Sequence, residues 1–190
     1  MALNHIIPPN CREVYRLRGE YRSIAGDASP ASLPQDIELV LEEHRRLLAR
    51  LRGRWPCPGV READSAIAAR TMMHGLPEAL QAGAARLTAF YESLPSETTA
   101  PYYDAALVRT MAEFHNQLGL LGQGDAGAEN QRIRELGDEM EEAIGKSGII
   151  PRMREELELR RKLNKLKYYT ALLKDIIDCE DILRAVPGYY

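Results

Sequence analysis

Cysteine is scarce and poorly placed for cross-linking. Cys11, Cys57 and Cys179 are odd in number, far apart, and form no C-x-x-C pair. That argues against a disulfide framework and fits a reducing compartment. Aromatic residues make up only 6% of the chain, with one Trp and two Phe. No apolar run approaches the roughly 20 residues needed to cross a bilayer, because charge interrupts every cluster within a few positions. Strand-like alternation rich in Val, Ile and Thr is absent, which removes the sheet classes. What remains is a chain rich in Leu, Ala, Arg and Glu, all good helix formers. With 45% hydrophobic and 28% charged residues, the composition is globular.

Charge of one sign is also missing. The net charge is −3, but residues 1–70 hold 11 basic and 9 acidic side chains, whereas residues 71–190 hold 14 and 19. Neither half is basic enough to make nucleic acid the expected partner. The densest basic cluster is Arg45, Arg46, Arg50, Arg52 and Arg54. It reads as a solvated helix face, a site for an acidic protein, or a contact for phosphate or lipid headgroups. No cleavable address is evident at the start. The stretch Cys11–Arg22 carries four arginines but also Glu13 and Glu20, whereas a presequence is usually poor in acids.

Helical spacing recurs along the chain. Val14, Tyr15, Leu17 and Tyr21 give a short first stripe, and Gly26 to Pro30 breaks it. Ile37, Val40, Leu41, His44, Leu47, Leu48 and Leu51 predict an amphipathic helix over 35–52, with Ser32 and Gln35 able to form a capping box. Trp55 to Gly59 reads as a rigid connector, followed by a modest helix over 61–73. Gly75 and Pro77 open a helix carrying Leu80, Ala84, Leu87, Tyr91 and Leu94, which Pro95 stops. Pro101 opens another, with Leu107, Met111, Phe114 and Leu118. Gly119 to Gly127 is expected to be a loop. Ile133, Leu136, Met140 and Ile144 then mark a short helix whose other side is acidic, with Glu135, Asp138, Glu139, Glu141 and Glu142. A second break is expected over 145–148. The longest helix follows, from Pro151 to about Leu183, with basic residues Arg160, Arg161, Lys162, Lys165 and Lys167 early in it. The expected fold is all-α: a helical bundle with about three core helices in the segment 75–190, preceded by a helical extension over 1–70.

Catalytic patterns are missing as well. His5, His44, His74 and His115 stand alone, with no H-E-x-x-H or Cys/His cluster. No G-x-S-x-G elbow, Walker loop or dinucleotide fingerprint occurs, and Gly122-Gln-Gly124 does not follow a strand. The acidic run around Glu139 has the spacing of a helix surface and not of a calcium loop. The tyrosine pairs 102–103, 168–169 and 189–190 suit packing at a core or interface, where a large apolar body and a hydroxyl both find partners. The expected role is therefore protein binding, without catalysis, metal or cofactor. The candidate contact residues are Arg45, Arg46, Arg50, Arg52, Arg54, Glu139, Glu142, Arg160, Arg161, Lys165 and Tyr169. A small helical enzyme using His44 or His115 is the reading from a different class.

One segment carries a family likeness. Leu94-Pro95 ends a helix, Tyr102 or Tyr103 precedes a second, Gly148 marks a turn, and Glu156-Leu157-Glu158-Leu159 opens a last helix continued by Arg161, Lys162, Leu163 and Lys167. In this order and spacing, residues from about 75 to 173 resemble the alpha-subcomplex subunit 5 family of accessory subunits of mitochondrial NADH:ubiquinone oxidoreductase, respiratory complex I. Residues 1–70 and those beyond Leu173 have no counterpart in the likeness. The resemblance implies a helical subunit without redox cofactors, at the matrix side of the mitochondrial inner membrane. It would be peripheral to that membrane through the complex and would contact other subunits of the peripheral arm. A helical adaptor or scaffold of another assembly is the alternative.

Overall fold

A computed structural model describes residues 7–26, 28–54, 74–94, 105–120 and 126–185, with side chains described over 7–26, 28–50, 74–94, 109–120 and 130–178. The expected connector at 55–59, the helix over 61–73, Tyr102, Tyr103, the Gly122-Gln-Gly124 segment and the tyrosines 189–190 lie outside the described residues. Within them the protein is an all-α helical bundle with no strand. Six α-helices follow in order: α1 Pro9–Ala25, α2 Leu33–Arg54, α3 Leu76–Ser93, α4 Ala105–Gly119, α5 Ala126–Ser147 and α6 Ile149–Ala185. A 3-10 turn, Pro30–Ser32, leads into α2.

The ends of these helices follow from local chemistry. Pro9 sits at the first position of α1, where its missing N–H is not needed, and Gly26 closes the helix at φ 60° with its N–H on the Arg22 carbonyl. Ser32 is 2.7 Å from the Ser29 carbonyl and 3.3 Å from the Asp36 carboxylate, so its partners are these and not Gln35, and the expected capping box is not formed. Gly75 and Gly148 both adopt positive φ, at 71° and 67°, immediately before α3 and α6.

Two boundaries differ from expectation. α5 starts at Ala126, inside the expected loop, and runs for 22 residues instead of a few turns. Ala126 and Ala128 are strong helix formers and carry the helix back through Gly127. Gly145 is likewise helical, so the break narrows to Gly148. α6 starts at Ile149, with the Ile149 N–H 3.3 Å from the Ser147 hydroxyl, and Pro151 falls in the first turn where no intrahelical donor is lost.

Contacts gather the chain into two compact units, residues 1–28 with 94–158, and residues 29–93 with 159–190. Each unit joins segments distant in sequence. In the first unit, α1, α4, α5 and the opening turns of α6 enclose Cys11, Val14, Leu17, Phe114, Ile133, Leu136, Met140, Ile144 and Leu157. Phe114 is fully buried, a burial that contributes on the order of 2–3 kcal/mol. The start of α1 is held to α5 by the Asn10 N–H on the Glu141 carboxylate at 3.0 Å, which sets an anion at a helix N-terminus. In the second unit, α2, α3 and the rest of α6 enclose Leu33, Ile37, Leu41, Leu47, Leu80, Leu87, Leu159, Leu163, Leu166, Leu173 and Ile177. Gly83 of α3 faces Leu159 so closely that the leucine side chain fills the place of a Cβ.

Candidate functional site

The arginine cluster lies on α2, whose apolar face is turned into the second unit. Arg45, Arg46 and Arg50 are exposed, whereas the side chains of Arg52 and Arg54 lie outside the described residues. The three do not make an unbroken positive patch. Glu38, Glu42 and Glu43 are exposed between them, and Arg46 Nη2 lies 4.0 Å from Glu43 Oε1. Arg45 borders a cavity of about 380 Å³ on the α2–α3 seam, where Leu41 and Ala84 give an apolar floor and Glu38 and Glu42 an acidic wall. Alternating signs on one surface suit a protein contact better than a phosphate, which a neighbouring carboxylate repels.

The acidic face of α5 is partly neutralised from within its own unit. Arg132 reaches Glu113 of α4 at 2.7 Å, and its other terminal nitrogen lies 3.6 Å from Glu135 and 3.9 Å from Glu139. The hydrogen bond to Glu113 keeps the guanidinium protonated to a higher pH than usual. Glu142 pairs with Lys146 one turn along, and that hydrogen bond pulls its carboxyl below the ordinary range. Such exposed pairs orient side chains more than they hold the fold.

The basic stretch of α6 divides by burial. Arg160, expected on a contact surface, is 5% exposed and faces inward, donating to the Ser29 carbonyl at 3.0 Å. Arg161 and Lys165 are exposed, and Tyr169 is half-buried against the core. The two histidines of the enzyme reading differ in setting. His44 is 3% exposed, with Nδ1 3.5 Å from the Thr170 hydroxyl, and burial lowers its pKa. A substrate cannot reach it there. His115 is exposed, with Nε2 2.6 Å from the Tyr15 hydroxyl and the two rings edge to face at 5.5 Å. Among the described residues no group of His, Cys, Asp and Glu is gathered as metal ligands.

Among the described residues, an exposed apolar line on α6 was not among the candidates. Tyr168, Leu172 and Ile176 are 62%, 40% and 37% exposed, and they stand four residues apart on one line of α6. Each belongs to an apolar doublet, Tyr168-Tyr169, Leu172-Leu173 and Ile176-Ile177. The second member of each doublet turns inward, with Leu173 and Ile177 4% and 0% exposed, while the first turns out. Successive helical residues point about 100° apart, so a doublet repeated every fourth residue is wider than a single buried face. That signal was available in the sequence.

In comparisons with known proteins, no family model matches the chain, and neither does any curated protein or solved structure.

Proposed function

We propose that the chain is a non-catalytic accessory subunit of mitochondrial respiratory complex I, stabilising the matrix-facing peripheral arm through helix-mediated contacts with neighbouring arm subunits. In this reading it sits on the matrix side of the inner membrane and has no redox cofactor of its own. No described helix is long and apolar enough to cross a membrane.

The observation that carries the reading is where the helices stop and start within the segment of family likeness. α3 ends at Ser93, directly before Leu94-Pro95, and α6 begins directly after Gly148. Glu156, Leu157 and Leu159 of the Glu-Leu-Glu-Leu stretch are all buried, so this stretch belongs to the helix packing of the bundle. The 22-residue α5 between the second matched helix and the Gly148 turn is an addition to the pattern. A tagged chain should comigrate with NADH dehydrogenase activity on native gels. Purification with a non-respiratory assembly, and absence from that band, overturns the proposal.

The second reading is a helical adaptor or scaffold of another assembly. It is favoured by the outward apolar line of α6, which continues to Ile176, past the end of the likeness at Leu173. Its mark is recovery of the protein in the cytosolic fraction.

A further inference from the structure

The four arginines of α1 do not share one surface. Counting about 100° per residue, Arg22, Tyr15 and Arg12 stand about 40°, 60° and 120° round the helix from Arg18, whereas Glu20 and Glu13 stand about 200° and 220° round. On the acidic side the charges are already matched. Glu13 holds Arg16 at 2.8 Å and Arg154 at 3.0 Å, and Glu20 pairs with Arg16. On the other side Arg12, Arg18 and Arg22 are exposed, and none of them makes an ion pair among the described residues.

The neighbouring helices bring no acid to that side. α4 meets α1 through His115, whose Nε2 lies 2.6 Å from the Tyr15 hydroxyl. The carboxylate of α4, Glu113, stands about 160° round that helix from His115 and is tied to Arg132 of α5 at 2.7 Å. Glu141 of α5 lies at the start of α1, where it accepts the Asn10 N–H at 3.0 Å, about two turns before Arg18. Arg12, Tyr15, Arg18, Arg22 and His115 thus form a surface of one sign. Arg and Tyr are enriched, and Lys and Glu depleted, where protein surfaces meet.

The chemistry of the face selects its partner. Each guanidinium is a planar fork that matches a carboxylate with two parallel hydrogen bonds. Arg18 and Arg22 are one turn apart, about 6 Å along the axis, which is the spacing of two acids one turn apart on another helix. From Arg12 to Arg22 the basic side extends over about 15 Å, more than a single phosphate spans. A membrane surface fits poorly, because the apolar side of α1, with Cys11, Val14 and Leu17, is buried in the bundle and nothing is left to enter lipid.

We propose that the Arg12, Arg18 and Arg22 side of α1 docks an acidic helix of a partner protein. Glu or Asp side chains one turn apart on that helix meet Arg18 and Arg22, and Tyr15, midway between Arg12 and Arg18, lies at the centre of the contact. This contact goes beyond the reading of the host assembly and does not depend on it.

Fluorescence anisotropy of the full chain with a labelled helical peptide, Ala with Glu at every fourth position, tests the docking. Binding should be seen at low ionic strength and should weaken as salt is raised. The double variant R18E/R22E should weaken it at least about tenfold, since two attractions become repulsions. R18Q/R22Q, which adds no new charge, should act in the same direction. R45E/R46E on α2 changes the net charge as much as R18E/R22E and should leave the affinity within about twofold. Helicity by circular dichroism should be the same throughout, because all four arginines are exposed. At matched ionic strength neither phosphatidylserine vesicles nor inorganic phosphate should displace the peptide. A chain that does not bind the peptide overturns the proposal. So does an equal loss in R45E/R46E, which marks net charge alone, or displacement by vesicles or phosphate, which assigns the face to those ligands. A chain that ignores the peptide yet comigrates with NADH dehydrogenase activity sinks the docking and leaves the complex I reading standing.

Discussion

Arg160 Nη2 donates to the backbone carbonyl of Ser29 at 3.0 Å from a side chain only 6% exposed, with Asp36 Oδ2 3.9 Å from its other terminal nitrogen. The long helix thereby holds the entry of α2 by a buried, charge-assisted hydrogen bond to the main chain. An arginine in a run of basic residues reads as surface; here it fastens two distant segments of one unit.

Arg160→Ala should lower stability by about 1–3 kcal/mol, because it leaves a carbonyl without its donor and removes the buried stem. Arg160→Lys should fall between that variant and the wild type, since a single ammonium replaces the planar fork. Urea unfolding followed by circular dichroism reads both. An unchanged midpoint for the alanine variant contradicts the role given to this contact.

His44 makes stability depend on pH. Desolvation lowers its pKa in the folded chain, so the unfolded chain binds the proton more readily. The folded pKa lies below the ordinary 6.5, and stability from this group is complete above that value. It is lost as pH falls below 6.5 toward the folded pKa. Between pH 7.5 and pH 5.5 the wild type should lose more stability than His44→Gln, whose side chain does not titrate. Equal losses in parallel urea titrations count against this assignment.

Two glycines in helices should answer oppositely to alanine. At Gly19 a new Cβ meets nothing within 4 Å, so Gly19→Ala should stabilise by about 0.5–1 kcal/mol through backbone entropy alone. At Gly83 it meets the Leu159 side chain, with Cγ at 3.1 Å and both methyls nearer, and Leu159 is 3% exposed and has little room to turn. Gly83→Ala should therefore destabilise by about 1–3 kcal/mol. Shortening the neighbour in the double variant G83A/L159V should recover part of it. Thermal melts of the four proteins distinguish this from a propensity effect, which predicts stabilisation at both sites.

Cys11 should be inert in the native chain. It is fully buried, and burial, aided by the Glu141 carboxylate, pushes its thiol up to about 12. Since the thiolate is the reacting species, alkylation near neutral pH should spare Cys11 until the chain is unfolded in urea. Peptide mapping by mass spectrometry separates it from the other two cysteines. Native modification of Cys11 as fast as in urea contradicts its placement in the core.

Much of the helical design is written locally. Ile133, Leu136, Met140 and Ile144 stand at helical spacing and are all buried, as are Ile37, Leu41, His44 and Leu47. Gly26, Gly75 and Gly148 punctuate the chain because positive φ costs glycine no side-chain clash. Spacing along a helix is a short-range property, and the sequence alone determines it. Destination is not. Leu157 joins the core of α1, α4 and α5 while Leu159, two residues on, joins that of α2 and α3. Arg160 turns in where Arg161 and Lys165 turn out, and Leu173 is buried where Leu172 is not. Where apolar or basic residues surround α6 on more than one face, periodicity no longer names the inner one. Only the packing of distant helices chose which face met a neighbour and which met water, because burial is a contact between segments that the sequence holds far apart.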